Sequence, residues 1–175
     1  MEFYPPINEW RVPQDLLQIS VSEMKQDGQR GNEGTSLWLG HKEEGVATIT
    51  HAVLLRGRHI VKRPNQIQIQ PELMREVHQA CRQLRLILVG QIHSHGEFYG
   101  EDLSWIDRAA GFRIPSFLSV VAPDYGLTWP ISWFDCGVHI YERSMGFLRL
   151  SHDDIRERLI ETNARTTTLT VSVNE

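Results

Sequence analysis

The sequence predicts an α/β (α+β) fold. Aliphatic stretches of strand length, such as LRLILVGQIHSH and IPSFLSVVAP, alternate with stretches whose apolar residues recur at helical spacing, such as LLQISVSEM and PELMREVHQACRQL. Polar, turn-rich segments separate them. The chain has 175 residues, 41% of them hydrophobic, enough for one real core. No repeat, linker or low-complexity segment divides it, so residues 1–175 are expected to form a single domain.

Composition narrows the function. Eighteen Lys and Arg stand against 22 Asp and Glu, a formal charge of −4, and no long basic run tracks a phosphate backbone. Nucleic acid is therefore not expected as a ligand. The two cysteines, Cys81 and Cys136, make no disulfide framework, and MEFYPPINEW lacks the basic-then-apolar layout of a signal peptide. The apolar runs fall short of about 18 residues, the length a membrane helix needs. A cytoplasmic location away from membranes is expected.

The elements follow in order. Pro5, Pro6 and Pro13 suit an extended lead-in with a short strand at Trp10 to Val12. Leu16, Leu17, Ile19, Val21 and Met24 predict a helix that Gly28 stops. EGTSLWLG and VATITHAVLL read as two strands around a charged turn at His41 to Gly45, with Glu33 at the mouth of the first. Residues 56–70 carry Arg56, Arg58, Lys62 and Arg63, a Pro64 break and the alternating NQIQIQ, a loop and an edge strand able to pair an extended peptide. PELMREVHQACRQL is an amphipathic helix with Pro71 in its first turn and Leu73, Val77 and Cys81 on one face. Residues beyond 114 predict a buried strand, a DYG turn, a strand region interrupted by Pro130 and Gly137, and a helix in SHDDIRERLIET capped by Ser151 or Asp153. TTTLTVSVNE is an edge strand or a loose tail.

The chemistry concentrates between Leu84 and Asp107. On a strand ending at His95, successive side chains alternate, so His93 and His95 project from one face and can share a metal ion. The helical SWIDRAAGF makes Ser104 and Asp107 neighbours on its first turn. Catalytic zinc takes three ligands from His, Asp or Glu and keeps a fourth position for water, whose pKa it lowers to roughly 7. Ser-x-x-Asp ahead of apolar residues is also a helix capping box, and the two roles can coexist.

Laid out together, Glu33, His93, His95, Ser104 and Asp107 resemble the JAMM family, also called JAB or MPN+ metalloproteases. That family has an upstream E-x-x-small-x-apolar-x-G, here Glu33, Ser36, Trp38 and Gly40, followed by H-x-H-x7-S-x-x-D. Two departures stand out: Gly96 replaces a common Pro, and eight residues rather than seven separate His95 from Ser104. The longer loop leaves Asp102 as a rival ligand, and Asp107 is preferred because it keeps the Ser-x-x-Asp spacing. The resemblance covers most of the chain and implies an MPN/JAB (cytidine-deaminase-like) fold with a mixed central β-sheet flanked by helices. It implies zinc on His93, His95 and Asp107, Glu33 as general base and acid, and Ser104 as donor to the developing oxyanion. The implied reaction is hydrolysis of an amide or isopeptide bond without a covalent intermediate. The implied substrates are a ubiquitin-like protein and its conjugates, with E1-like and E2-like proteins as further partners. A short chain of this kind looks most like bacterial members that accompany ubiquitin-like conjugation operons, some tied to phage defence.

Two other readings compete. A thiol enzyme pairing Cys136 with His139 is disfavoured because residues three apart on a strand face opposite ways. A metal-bound scaffold without activity of its own would keep the ligands but not need Glu33.

Overall fold

The computed structural model describes residues 6–173, so the first five residues of the lead-in and the last two of the tail lie outside the described residues. Strand β1 (Glu9–Pro13) leads into helix α1 (Leu16–Gly28). Leu16, Leu17, Ser20, Val21 and Met24 form the buried face of α1, the helical period read from sequence. The helix ends at Gly28 as expected, and the glycine is also needed for close approach. The residue after it, Gln29, stays right-handed at φ −61°, while a Cβ at 28 would lie 2.4 Å from the Tyr125 carbonyl oxygen.

Strands β2 (Thr35–Glu43) and β3 (Val46–Leu55) form the expected hairpin, but its turn is only Glu44 and Gly45, both at positive φ. Two left-handed residues match the twist of the flanking strands, so His41 to Glu43 stay in the ladder. The next segment departs further from expectation. Strands β4 (Ile60–Arg63) and β5 (Gln66–Ile69) pair only with each other, Ile60 opposite Ile69, because the chain folds straight back at Pro64 and Asn65.

Helix α2 (Pro71–Leu84) buries Leu73, Val77 and Cys81. Strand β6 (Ile87–Ser94) is followed by the short helix α3 (Trp105–Ala110) and by β7 (Leu118–Ala122). Residues 124–126 and 133–135 are 3-10 turns, so the strand region expected across Thr128 to Arg143 begins only at β8 (Gly137–Glu142). Ser132 bonds the Asp135 carboxylate through its N–H and its hydroxyl, both at 2.8 Å, which keeps these residues turned rather than extended. Strand β9 (Gly146–Arg149) has no counterpart in the sequence reading. Helix α4 (His152–Arg158) is capped by Ser151, and the expected helical LIET is instead β10 (Leu159–Thr162), drawn into parallel pairing with β1. The closing segment is an edge strand, β11 (Thr167–Val171).

These strands make a curled, mixed sheet in the order β10-β1-β3-β2-β6-β7-β8-β9, with β11 on the second half of β3. Alternation along β2 sorts the two cores. Trp38 joins the α1 side with Trp10, Met24 and Val120, whereas Leu37 and Leu39 join the α2 side with Leu73, Val77 and Phe117. Gly40 sits at a register shift, and a Cβ there would lie 1.9 Å from the Thr48 carbonyl oxygen, so the glycine lets two strands approach. Among the described residues, no helix is long and apolar enough to cross a membrane.

Candidate metal centre

The N-terminal end of β2 and the C-terminal end of β6 lie side by side, Thr35 opposite His93. His95 stands one residue beyond β6, yet its N–H still donates to the Ala122 carbonyl, so strand geometry continues through it. His93 and His95 therefore face the same way, and their Nε2 atoms are 3.1 Å apart. Ser94 points to the other face. Its hydroxyl accepts from Gly34 N–H at 2.9 Å while its own N–H donates to the Gly34 carbonyl at 3.0 Å, a clasp that fixes the residue after Glu33.

Asp107 arrives from α3. Its Oδ2 lies 3.0 Å from His95 Nε2 and its Oδ1 lies 3.3 Å from His93 Nε2. Both halves of the capping box are present: Ser104 Oγ accepts from Asp107 N–H at 3.1 Å, and Asp107 Oδ2 accepts from Ser104 N–H at 2.7 Å. The Ser104 side chain also hydrogen-bonds the Asp107 carboxyl, so cap and ligand are tied together. His95 is oriented from behind by the Gly100 carbonyl, 3.1 Å from Nδ1, which leaves Nε2 to face inward.

Two imidazole nitrogens 3.1 Å apart, with one Asp107 carboxylate oxygen 3.0 Å from His95 and the other 3.3 Å from His93, suit a divalent metal. Tetrahedral zinc with bonds of about 2.0–2.1 Å sets its ligands roughly 3.3–3.4 Å from one another. The donor set is two imidazoles and one carboxylate, all buried or half-buried, with no thiolate to close a structural site.

Glu33 lies just before β2 and is buried at 5% exposure. Its own N–H donates to the Arg63 carbonyl at the turn of the β4–β5 hairpin, 2.9 Å away. Burial pushes its carboxyl up to about 7; His95 opposes the shift and Asp107 reinforces it. Asp107 behaves oppositely. Burial would raise it, but the bonds from His93 and His95, followed by Ser104, hold its carboxyl well below the usual range. Burial works against a charge on His95, yet Asp107 and Glu33 raise it overall. Two neighbouring carboxyls are thus driven in opposite directions, a pattern that clusters at functional sites.

The chain is 27% identical over 116 residues to the probable metalloprotease y4jG of Sinorhizobium fredii, covering 65% of this chain and 70% of that protein. The sequence likeness is to a metalloprotease. Together with the three convergent ligands it supports a peptidase-type function that uses a metal. No protein-family model matches. In fold the chain is similar to the solution structure of protein DSY2949 from Desulfitobacterium hafniense, with a TM-score of 0.64 over 90% of this chain and 94% of that one. At 14% identity that likeness concerns the fold alone.

The rival Asp102 does not join the cluster. Its Oδ1 accepts from His139 Nε2 at 2.8 Å, Leu103 N–H at 2.8 Å and Arg108 Nη2 at 3.0 Å. Thiol chemistry finds no support either, since burial pushes Cys136 up to about 12 and His139 is engaged by Asp102. Gly96 has a local cause: a Cβ there would lie 2.5 Å from Tyr125 Oη and 2.6 Å from its Cζ. Tyr125 is held by its N–H to the His95 carbonyl at 2.7 Å and by its hydroxyl to the Pro64 carbonyl at 3.3 Å. The sequence reading missed these supports. Only Ser94, inside His-Ser-His, carried a local signal.

Proposed function

We propose that this chain is a zinc-dependent hydrolase of the JAMM/JAB (MPN+) type, a single JAB/MPN domain that cleaves amide or isopeptide bonds of a ubiquitin-like protein. The observation that carries the reading is geometric: His93, His95 and Asp107 converge, and the buried carboxyl of Glu33, pushed up to about 7 in the metal-free protein, stands beside them. A general base works best when its pKa is near the working pH. The order Glu33, His93-x-His95, Ser104-x-x-Asp107 supports the family assignment, and the sequence likeness to a metalloprotease agrees with it.

In this reading His93, His95 and Asp107 hold the metal. Bound zinc would lower the pKa of a water to roughly 7 and polarise the scissile carbonyl. Glu33 takes a proton as the carbonyl is attacked and returns it to the leaving amine, while burial keeps bulk water from competing for it. The Ser104 hydroxyl turns from the Asp107 carboxyl to donate to the developing oxyanion. Ser94 and the Arg63 carbonyl hold the backbone on either side of Glu33, so the carboxyl swings little between the two proton transfers.

The substrate assignment rests on the motif order: either a ubiquitin-like protein joined to another protein or its own C-terminal extension, with E1-like and E2-like proteins as associates. The test is Glu33→Gln, assayed on a linear fusion and on a lysine-linked conjugate of a ubiquitin-like protein. Turnover should vanish while metal content stays at the wild-type level; unchanged turnover would remove Glu33 from the mechanism. A second reading, a metal-bound module that docks a protein partner without hydrolysis, is favoured by the exposed Phe98 and Trp105 flanking the ligands, 92% and 78% accessible. It predicts partner binding that Glu33→Gln leaves intact and no cleavage by the wild type.

A further inference from the structure

Asp107 poses a positioning problem. It rides on α3, a helix of six residues none of which is buried, so burial of an apolar face cannot be what holds it in place. The loop that delivers it carries the exposed Phe98 and Tyr99 and is one residue longer than the spacing it resembles. Something else must seat this loop.

Strand β8 provides the seat. Gly137 and His139 are two residues apart and so share a face of the strand. At Gly137 the loop lies directly on the strand: a Cβ there would come 1.6 Å from the Glu101 carbonyl oxygen, a backbone atom that cannot step aside alone. At His139, wholly buried, Nε2 stands 2.8 Å from Asp102 Oδ1. From Asp102 the bonds continue to the metal cluster. The same oxygen accepts from Leu103 N–H, the residue before the Ser104 cap, and from Arg108, which follows Asp107. Arg108 also donates to the Leu103 and Phe147 carbonyls, tying the helix to β9. Gly100, adjacent to Glu101, supplies the carbonyl behind His95.

We propose that Gly137 and His139 are positioning residues for the metal centre, acting through Glu101 and Asp102 to set Asp107 and the Gly100 carbonyl. An imidazole buried in a strand loses hydration that an aliphatic side chain would not, and here its Nε2 is aimed at a loop carboxylate. The extra loop residue is thereby turned to use: Asp102 is an anchor, not a ligand. This inference rests on the reading of His93, His95 and Asp107 as metal ligands.

The experiment compares Asp102→Ala, Gly137→Ala, His139→Phe and His139→Gln with wild type in the full chain. One readout is zinc affinity by competition with a chromophoric chelator; the other is amide hydrogen exchange of residues 96–108 in metal-free protein. Asp102→Ala, Gly137→Ala and His139→Phe should each weaken zinc binding about tenfold, the lower end for outer supports of a metal site. Each should speed loop exchange severalfold while leaving β2 and β6 unchanged. His139→Gln, whose amide can still donate to Asp102, should restore both readouts, and His139→Phe with Asp102→Ala together should lose no more than either alone. Wild-type affinity and wild-type loop exchange in Asp102→Ala and Gly137→Ala would overturn the proposal. These two changes lie at the loop contact, so the test survives if His139→Phe fails to fold. A wild type that takes up no zinc would instead overturn the ligand reading, and loop exchange would still decide the anchor.

Discussion

Oδ2 of Asp107 lies 3.0 Å from Nε2 of His95, across a separation of 12 residues, and these two residues with His93 are the proposed metal ligands. Removing any corner should abolish binding. His93→Ala, His95→Ala and Asp107→Ala should contain no metal after dialysis by elemental mass spectrometry, whereas Asp102→Ala should still take up one zinc per chain at saturation. A wild-type metal content in Asp107→Ala with loss in Asp102→Ala would reassign the third ligand.

The raised carboxyl of Glu33 carries a stability consequence in the metal-free protein. Its folded value, about 7, exceeds the ordinary 4.5, so between these values the folded state keeps a proton that the unfolded chain has released. The group's contribution to stability is full below the lower value and is lost as pH rises through about 7. The gap corresponds to roughly 3 kcal/mol at most. Glu33→Gln should therefore match wild type near pH 4 and exceed it in stability at pH 8, measured by urea midpoints without metal. Parallel pH curves for the two proteins would show that burial does not strain this carboxyl.

Ser104 is both cap and donor, and the two roles can be separated. Ser104→Ala should cost about 1 kcal/mol of stability through the lost cap. Turnover should fall ten- to a thousandfold with metal still bound. Ser104→Gly, which caps nearly as well but carries no side-chain donor, should restore most of the melting temperature and not the rate.

Gly40 tests the sheet beneath the site. Ala at this position would drive its Cβ to 1.9 Å from the Thr48 carbonyl, forcing β2 and β3 apart. The loss expected in chemical denaturation is about 1–3 kcal/mol.

Much of the site could be read from sequence because its parts are local. His93 and His95 are fixed by strand alternation, and Ser104 with Asp107 by a single helical turn. What draws Glu33 beside them is pairing between β2 and β6 and the Ser94 clasp, neither visible in a local window. The choice between Asp102 and Asp107 was open for the same reason, since the residue that occupies Asp102 is His139, 37 positions away. In the fold, Leu159 to Thr162 continued a helical pattern but were taken by β1, some 150 residues earlier in the chain. Ser132–Asp135 did carry a cap signal of the same form as Ser104–Asp107, overshadowed by the aromatic run around it.

The contact between Gly96 and Tyr125 has an implication for how this sequence can vary. The two positions compete for one volume although they are distant in the chain. Any side chain at 96 would have to push the Tyr125 ring aside, and with it the hydroxyl that ties this residue to Pro64 beside the strand that ends at His95.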